Sequence, residues 1–141
     1  MADLSITAAN VLNGSSSPAP TIGKLAVSVT QGQALYKLAD GTYGLADSNG
    51  TMPANSFAAF ALAAGGAGQW IGITNGVNTS TSGAYVCGAT VVSGDTIWLS
   101  DTPGAITKTS SDIASGSTVI PIGVVNTDLT MQINPLVGGV K

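Results

Sequence analysis

Apolar and polar residues alternate along much of this chain in short runs of period two, the repeat of a strand that keeps one face in a core. From Lys24, the residues Leu25, Val27 and Val29 share one face while Ala26, Ser28 and Thr30 share the other, which predicts a half-buried antiparallel strand. A second strand is predicted over 33–38 and a third over 42–46. Asp40-Gly41 joins them, a pair that favours a two-residue type I′ hairpin. Asp47-Ser48-Asn49-Gly50 is a further turn. The run 57–64 is dominated by Ala and closed by Gly65 and Gly66. It suits a buried strand or a short packed helix, and 52–64 is the one place where a helix is expected.

Beyond the loop Gly65-Gly66-Ala67-Gly68, a strand is predicted over 70–74, a turn at Asn75-Gly76 and a polar Ser/Thr-rich loop over 77–83. β character resumes over 84–87, 89–92 and 95–100, and Thr102-Pro103-Gly104-Ala105 carries Pro and Gly at the central positions of a type II turn. The chain returns over 105–109. The stretch 118–125 is almost continuously apolar but contains Pro121 and Gly123, which marks an edge or a bulge. Leu129, Met131 and Ile133 then alternate with polar residues in the cleanest strand pattern of the sequence. Short strands with turn signals roughly every 8–12 residues predict an all-β, antiparallel sandwich or barrel with at most one short helix.

Ahead of this body, Leu4-Ser5-Ile6-Thr7 alternates as an extended segment and runs into Asn13-Gly14-Ser15-Ser16-Ser17-Pro18-Ala19-Pro20, a Gly/Ser/Pro linker that cannot join a sheet ladder. The chain thus divides into an N-terminal arm and linker, 1–23, and a β-rich domain, 24–141. Leu4 and Ile6 must find a groove either on their own subunit or on a neighbour. The second alternative makes them candidate interface residues.

Composition narrows the function. Only 8% of the 141 residues are charged, against roughly 25% in an ordinary domain. His, Arg and Glu are absent, and seven Asp against four Lys give a net charge of -3. No basic stripe exists to neutralise phosphates, so nucleic acid is not an expected partner. No run approaches the roughly 20 apolar residues of a spanning helix, so no membrane partner is expected either. The opening Met1-Ala2-Asp3-Leu4 lacks the basic and apolar regions of a secretory signal, which leads to the expectation of synthesis in a cytoplasm. Cys87 stands alone and reads as a small buried apolar group.

Without His the usual general base and metal ligand is missing, and a carboxylate mechanism would rest on Asp pairs such as Asp95 with Asp101. Asp in Gly-rich turns is ordinarily a turn residue that bonds nearby backbone. Asp47-x-Asn49-Gly50 is a fragment of a calcium loop without its closing Glu, and Gly66-Ala67-Gly68 lacks the rest of a phosphate-binding motif. No enzyme activity, metal or cofactor is expected. Trp98 shares a strand face with Thr96 and Ser100, opposite Ile97 and Leu99, and a large ring on a polar face suits a contact. Tyr43, beside the Asp40-Gly41 turn, is a second candidate contact, whereas Tyr36 and Trp70 are assigned to the core.

Several stretches resemble small virion proteins of tailed bacteriophages: Met1-Ala2-Asp3-Leu4-Ser5-Ile6-Thr7-Ala8-Ala9-Asn10-Val11, then Thr30-Gln31-Gly32-Gln33-Ala34-Leu35-Tyr36. The third is Gly94-Asp95-Thr96-Ile97-Trp98-Leu99-Ser100-Asp101-Thr102-Pro103-Gly104-Ala105-Ile106, followed by Ile122-Gly123-Val124-Val125 and the strand over 129–133. In order, they span nearly the whole chain and are similar to the capsid decoration, or cement, proteins. The linker and the segment 52–68 depart from that likeness. The resemblance implies a non-enzymatic structural protein on the outer face of the virion capsid. Its expected partners are the major capsid protein and further copies of itself, as a homotrimer, with Leu4, Ile6, Tyr43 and Trp98 as the expected contact residues. A module that recognises host glycans through Trp98 and Tyr43 is the alternative reading.

Overall fold

A computed structural model describes residues 3–12, 20–74, 86–127, 129–136 and 139–141. The strands are β1 (Val11–Leu12), β2 (Thr21–Lys24), β3 (Ala34–Lys37), β4 (Tyr43–Leu45), β5 (Ala59–Ala61), β6 (Trp70–Thr74), β7 (Val86–Cys87), β8 (Thr96–Leu99), β9 (Ile106–Thr107), β10 (Pro121–Val125) and β11 (Met131–Ile133). Short 3-10 turns at Ala8–Asn10 and Ser110–Asp112 are the only helical elements among the described residues. The fold is all-β and antiparallel, as the alternation predicts.

Five strands form one sheet in the order β2-β6-β5-β3-β4, four form a second in the order β11-β10-β8-β9, and β1 pairs with β7. The five-stranded sheet curls until its two outer strands meet. Leu25, just past β2, forms a parallel bridge with Tyr43 at the start of β4, and the Ala26 N–H donates to the Tyr43 carbonyl at 2.8 Å. The interior of this barrel holds Leu25, Val29, Leu35, Tyr43, Ala59, Ala61, Ile71 and Ile73. Its outer side at β3 and β5 presents Ala34 and Phe60 to the second sheet, where they pack with Ile97, Leu99, Ile106, Ile122 and Met131. Strands β3 and β5 are therefore covered on both faces, which explains why the run around Phe60 is apolar without alternation.

That double burial also explains why the segment 52–64 contains no helix. Turns stitched by Ala54 N–H to Thr51 O at 2.8 Å and Ser56 Oγ to Pro53 O at 2.5 Å carry the chain past a cis Met52–Pro53 peptide into β5. The strand expected from Lys24 to Thr30 is also displaced. β2 lies at Thr21–Lys24, across the expected 23/24 boundary, and the chain then bends so that Leu25 and Val29 are buried while Val27 is exposed. Residues 77–83 and the Asn75-Gly76 turn lie outside the described residues.

The Asp40-Gly41 hairpin forms, with a different turn. Only Gly41 has a positive φ, of 86°; Gly41 N–H donates to Leu38 O at 3.0 Å and Leu38 N–H to Thr42 O at 2.8 Å, a three-residue loop ending in a bulge. Asp40 Oδ1 accepts from Thr42 Oγ1 at 2.6 Å and Thr42 N–H at 2.9 Å, and these bonds hold its carboxyl below the usual range. The turn over 102–105 is type II, with Gly104 at φ 78° and Ala105 N–H donating to Thr102 O at 2.9 Å. It ties the two sheets together: Gly104 N–H donates to Ala46 O at 2.7 Å, and Gly104 O accepts from Ala34 N–H at 2.9 Å. Pro121 and Gly123 mark a bulge, not an edge, because β10 lies between β8 and β11 and its register shifts between those two residues.

Candidate interaction surfaces

The arm residues are strapped onto their own domain. Leu4 N–H donates to Ile106 O at 2.8 Å, Thr7 N–H donates to Gly88 O at 2.9 Å, and Val11 pairs with Cys87. Asp3 Oδ1 accepts from Ser100 Oγ, and Gln31 Nε2 donates to Val11 O at 3.2 Å. Leu4 and Ile6 are half-buried against the core between the sheets, and the Leu4 bond covers the outer edge of β9. Of the two grooves open to them, the structure places them in the one on their own subunit. Cys87 lies beneath this strap, and burial pushes its thiol up.

The aromatic residues are distributed otherwise than the sequence suggests. Tyr43 is only 8% exposed inside the barrel, so it is a core residue and no surface contact. Its burial withdraws one of the two rings proposed for glycan recognition. Trp98 is half-buried on the outer face of β8, opposite Pro121 and Thr107. Trp70, assigned to the core by sequence, is 65% exposed. In β6 it is Ile71 and Ile73 that enter the barrel, so Trp70 and Gly72 face outward.

The register of β2 on β6 sets Ile22 opposite Gly72 and Lys24 opposite Trp70, so Ile22 and Trp70 are diagonal neighbours on one open face. Ile22 is 71% exposed. With no side chain on Gly72 between them, the two form an apolar platform whose only flanking charge from these strands is Lys24. The alternation Trp70, Ile71, Gly72, Ile73 carried the signal for this face, since two β-branched residues outcompete one ring for the barrel interior.

A second apolar feature is a groove of about 320 Å³ between the 52–57 turns and the segment after β11. Phe57, Ile120 and Pro135 line it, with Met52 and Leu136 at an exposed rim. Asn55 lies in its wall, its Nδ2 donating to Thr118 Oγ1 at 3.0 Å and its Oδ1 buried without a hydrogen-bond partner. No local pattern could reveal this groove, because its walls come together from three distant parts of the chain.

No protein-family model, curated protein or solved structure matches the chain. Among the described residues, Asp47, Asp95 and Asp101 each accept a hydrogen bond from a backbone N–H. Asp95 and Asp101 sit at opposite ends of β8, roughly 20 Å apart at strand rise, too far to act across one bond. Asp95 accepts from Val92 N–H at 2.9 Å and faces Lys108 at 3.8 Å. Asp101 accepts from Ser48 Oγ and from Ala114 N–H at 2.7 Å. Burial pushes the Asp101 carboxyl up, but its bonds to Ser48, Ala114 and Ser117 and the charge of Lys141 outweigh that and hold it below the usual range. Asp47 moves the other way, raised by burial and by the neighbouring Asp101 charge against the Asn49 amide. Lys141 Nζ donates to Ser110 O at 2.8 Å and Ile113 O at 2.5 Å. Among the described residues, no group of three metal-ligating side chains gathers, and no helix is long and apolar enough to cross a membrane.

Proposed function

We propose that this protein is a non-enzymatic decoration protein of a tailed-bacteriophage capsid, which binds the outer face of the shell, bridges capsomers and associates with further copies of itself. The observation that carries this reading is the Ile22–Trp70 platform, two large apolar side chains held open on the outer face of the barrel in a weakly charged domain. The sequence resemblance supplies the kind of partner. Covering both side chains gains on the order of 4–6 kcal/mol before the entropy of association is subtracted, so one such site is weak alone. A shell that repeats the site, bound by linked copies, turns weak contacts into durable attachment. Few charges take part, so binding is only mildly dependent on salt.

The test is to add purified protein to capsids that lack it and measure occupancy by co-sedimentation. Wild type should saturate the shell, and Trp70→Ser with Ile22→Ser should lower occupancy at least tenfold while keeping the fold. Failure of the wild type to bind, or equal binding by the double variant, would overturn the reading. Binding to a glycan array would favour host-glycan recognition instead.

A further inference from the structure

The barrel closes between its outer strands only at the Leu25–Tyr43 bridge, and β2 keeps an open edge ahead of that point. Leu25 N–H donates to Gln69 O at 2.8 Å on the β6 side, while Ala26 N–H donates to Tyr43 O at 2.8 Å on the other. Backbone groups of successive strand residues point to opposite sides, so those of Thr21 and Gly23 face β6 and those of Pro20, Ile22 and Lys24 face outward. Among the described residues no strand lies beside Ile22 there, since β4 begins at Tyr43, level with Leu25. Pro20, Thr21, Ile22 and Lys24 are all exposed.

The three outward positions are not equivalent. Pro20 has no N–H to leave unpaired, as suits a proline on an edge, and the Lys24 C=O lies at the bridge that closes the barrel. Ile22 alone presents both a donor and an acceptor to the open side. An edge with one such residue is complementary to itself: in an antiparallel pair, two residues directly opposite each other exchange both hydrogen bonds. A foreign strand finds one full partner here and gains nothing from its own length, whereas a second copy brings an edge equally short. Charge does not oppose the meeting. Residues 13–19, which lead into β2, carry none, Asp40 offsets the nearby Lys24 within each copy, and the two Lys24 Cα atoms would stand about 14 Å apart, beyond a Debye length at physiological salt.

We propose that two copies of this protein pair through the β2 edge, antiparallel and centred on Ile22, with each Ile22 N–H donating to the Ile22 O of the other copy. Lys24 then stands opposite Pro20 of the second copy. The outer faces of the two barrels join, so that Trp70 and Ile22 of one copy continue into Ile22 and Trp70 of the other as one apolar strip. The pairing deepens the self-association in the function proposed above and rests on that reading for its use, since it sets two platforms side by side for a repeating shell. It forms in solution without the shell.

The experiment uses the full chain, with light scattering over a concentration series and oxidation of cysteine variants. Wild type should pass from monomer to dimer. Ile22→Pro should weaken pairing at least about tenfold and keep the fold, because the lost N–H faces away from β6; Ile22→Val should stay within about fivefold of wild type. Ile22→Cys should form a disulfide-linked dimer, since opposed residues of a hydrogen-bonded pair hold their Cα atoms about 5.5 Å apart, and Lys24→Cys should not. A wild type that stays monomeric at every concentration, an Ile22→Pro variant that pairs as wild type does, or Lys24→Cys crosslinking as readily as Ile22→Cys would each overturn the contact. Trp70→Ser separates the pairing from the shell: it should lower capsid occupancy and still pair as wild type does, so a protein that dimerises yet never binds capsids refutes the proposed function alone. Loss of the dimer in Trp70→Ser would mean that copies meet face to face through the platform, and would overturn the edge pairing.

Discussion

Replacing Gly123 by Ala should be among the most damaging single-methyl additions this fold can receive. Gly123 lies in β10 opposite Ile133 of β11, and a Cβ there would overlap the Gln132 carbonyl oxygen and lie 3.0 Å from its carbon. Both obstacles are backbone, so no rotamer relieves them. The strands would have to part by about 1 Å, which takes neighbouring ladder bonds beyond hydrogen-bonding distance. The Val124↔Gln132 pair would break first, and buried Met131 and Ile133 would move with β11. Two lost ladder bonds, the desolvation of the groups left unpaired and the disturbed packing come to about 3–5 kcal/mol. In a domain of this size, that lowers the melting temperature by roughly 10–20 °C. Urea unfolding followed by tryptophan fluorescence measures it, with Gly72→Ala as the control. Gly72 is also a strand glycine, yet its Cβ would meet nothing closer than Leu62 Cβ at 3.9 Å. The control should be neutral or slightly stabilising. A Gly123→Ala loss below about 1 kcal/mol would refute the steric reasoning.

Phe60→Ala, which empties the middle of the core between the sheets, should cost about 3–5 kcal/mol by the same assay. Asp101→Asn should destabilise at neutral pH by about 1–2 kcal/mol. The Asp101 carboxyl is held low in the fold, so its contribution is complete above the ordinary carboxylate value near pH ~3.9 and is lost as pH falls through its lower folded value. The gap between wild type and Asp101→Asn should therefore close as the pH falls below the ordinary carboxylate range, and a gap independent of pH would show that ionisation plays no part. Cys87 should resist a thiol reagent in the intact fold, and deletion of residues 1–12 should speed its labelling many-fold, because the strap covers it. Unchanged labelling would mean that the strap already opens freely.

The sequence located elements better than it located faces. Trp70–Thr74 appears where alternation places it, as do the turns at Asp40-Gly41 and Thr102 to Ala105, because Gly and Pro punctuate the chain by local rules. Alternation sorts residues into two faces, but nothing local says which face another layer covers. Trp70, which the sequence assigns to the core, is consequently at the surface, and Tyr43, expected as a contact, is in the core. Leu25, Val27 and Val29 show a further limit: a bend lets residues four apart reach the barrel while the one between them points out. At Leu129 the alternation runs on through a turn, since a pattern of polarity does not record the sign of φ. No alternation marks Ile22, because β2 is short, polar at its start and interrupted by Gly23 beneath the Tyr43 ring.

The double coverage of β3 and β5 bears on how this protein comes apart. One face of these strands belongs to the barrel interior and the other to the core between the sheets, so neither core has a wall of its own at that place. Melting the four-stranded sheet would uncover Ala34 and Phe60, and melting the barrel would remove the surface on which that sheet rests. The two sheets are bound to a common fate. Heating should give a single calorimetric transition whose van't Hoff and calorimetric enthalpies agree, and the shared layer, narrowed by Ala34, Ala59 and Ala61, should be among the last regions to exchange its amide hydrogens.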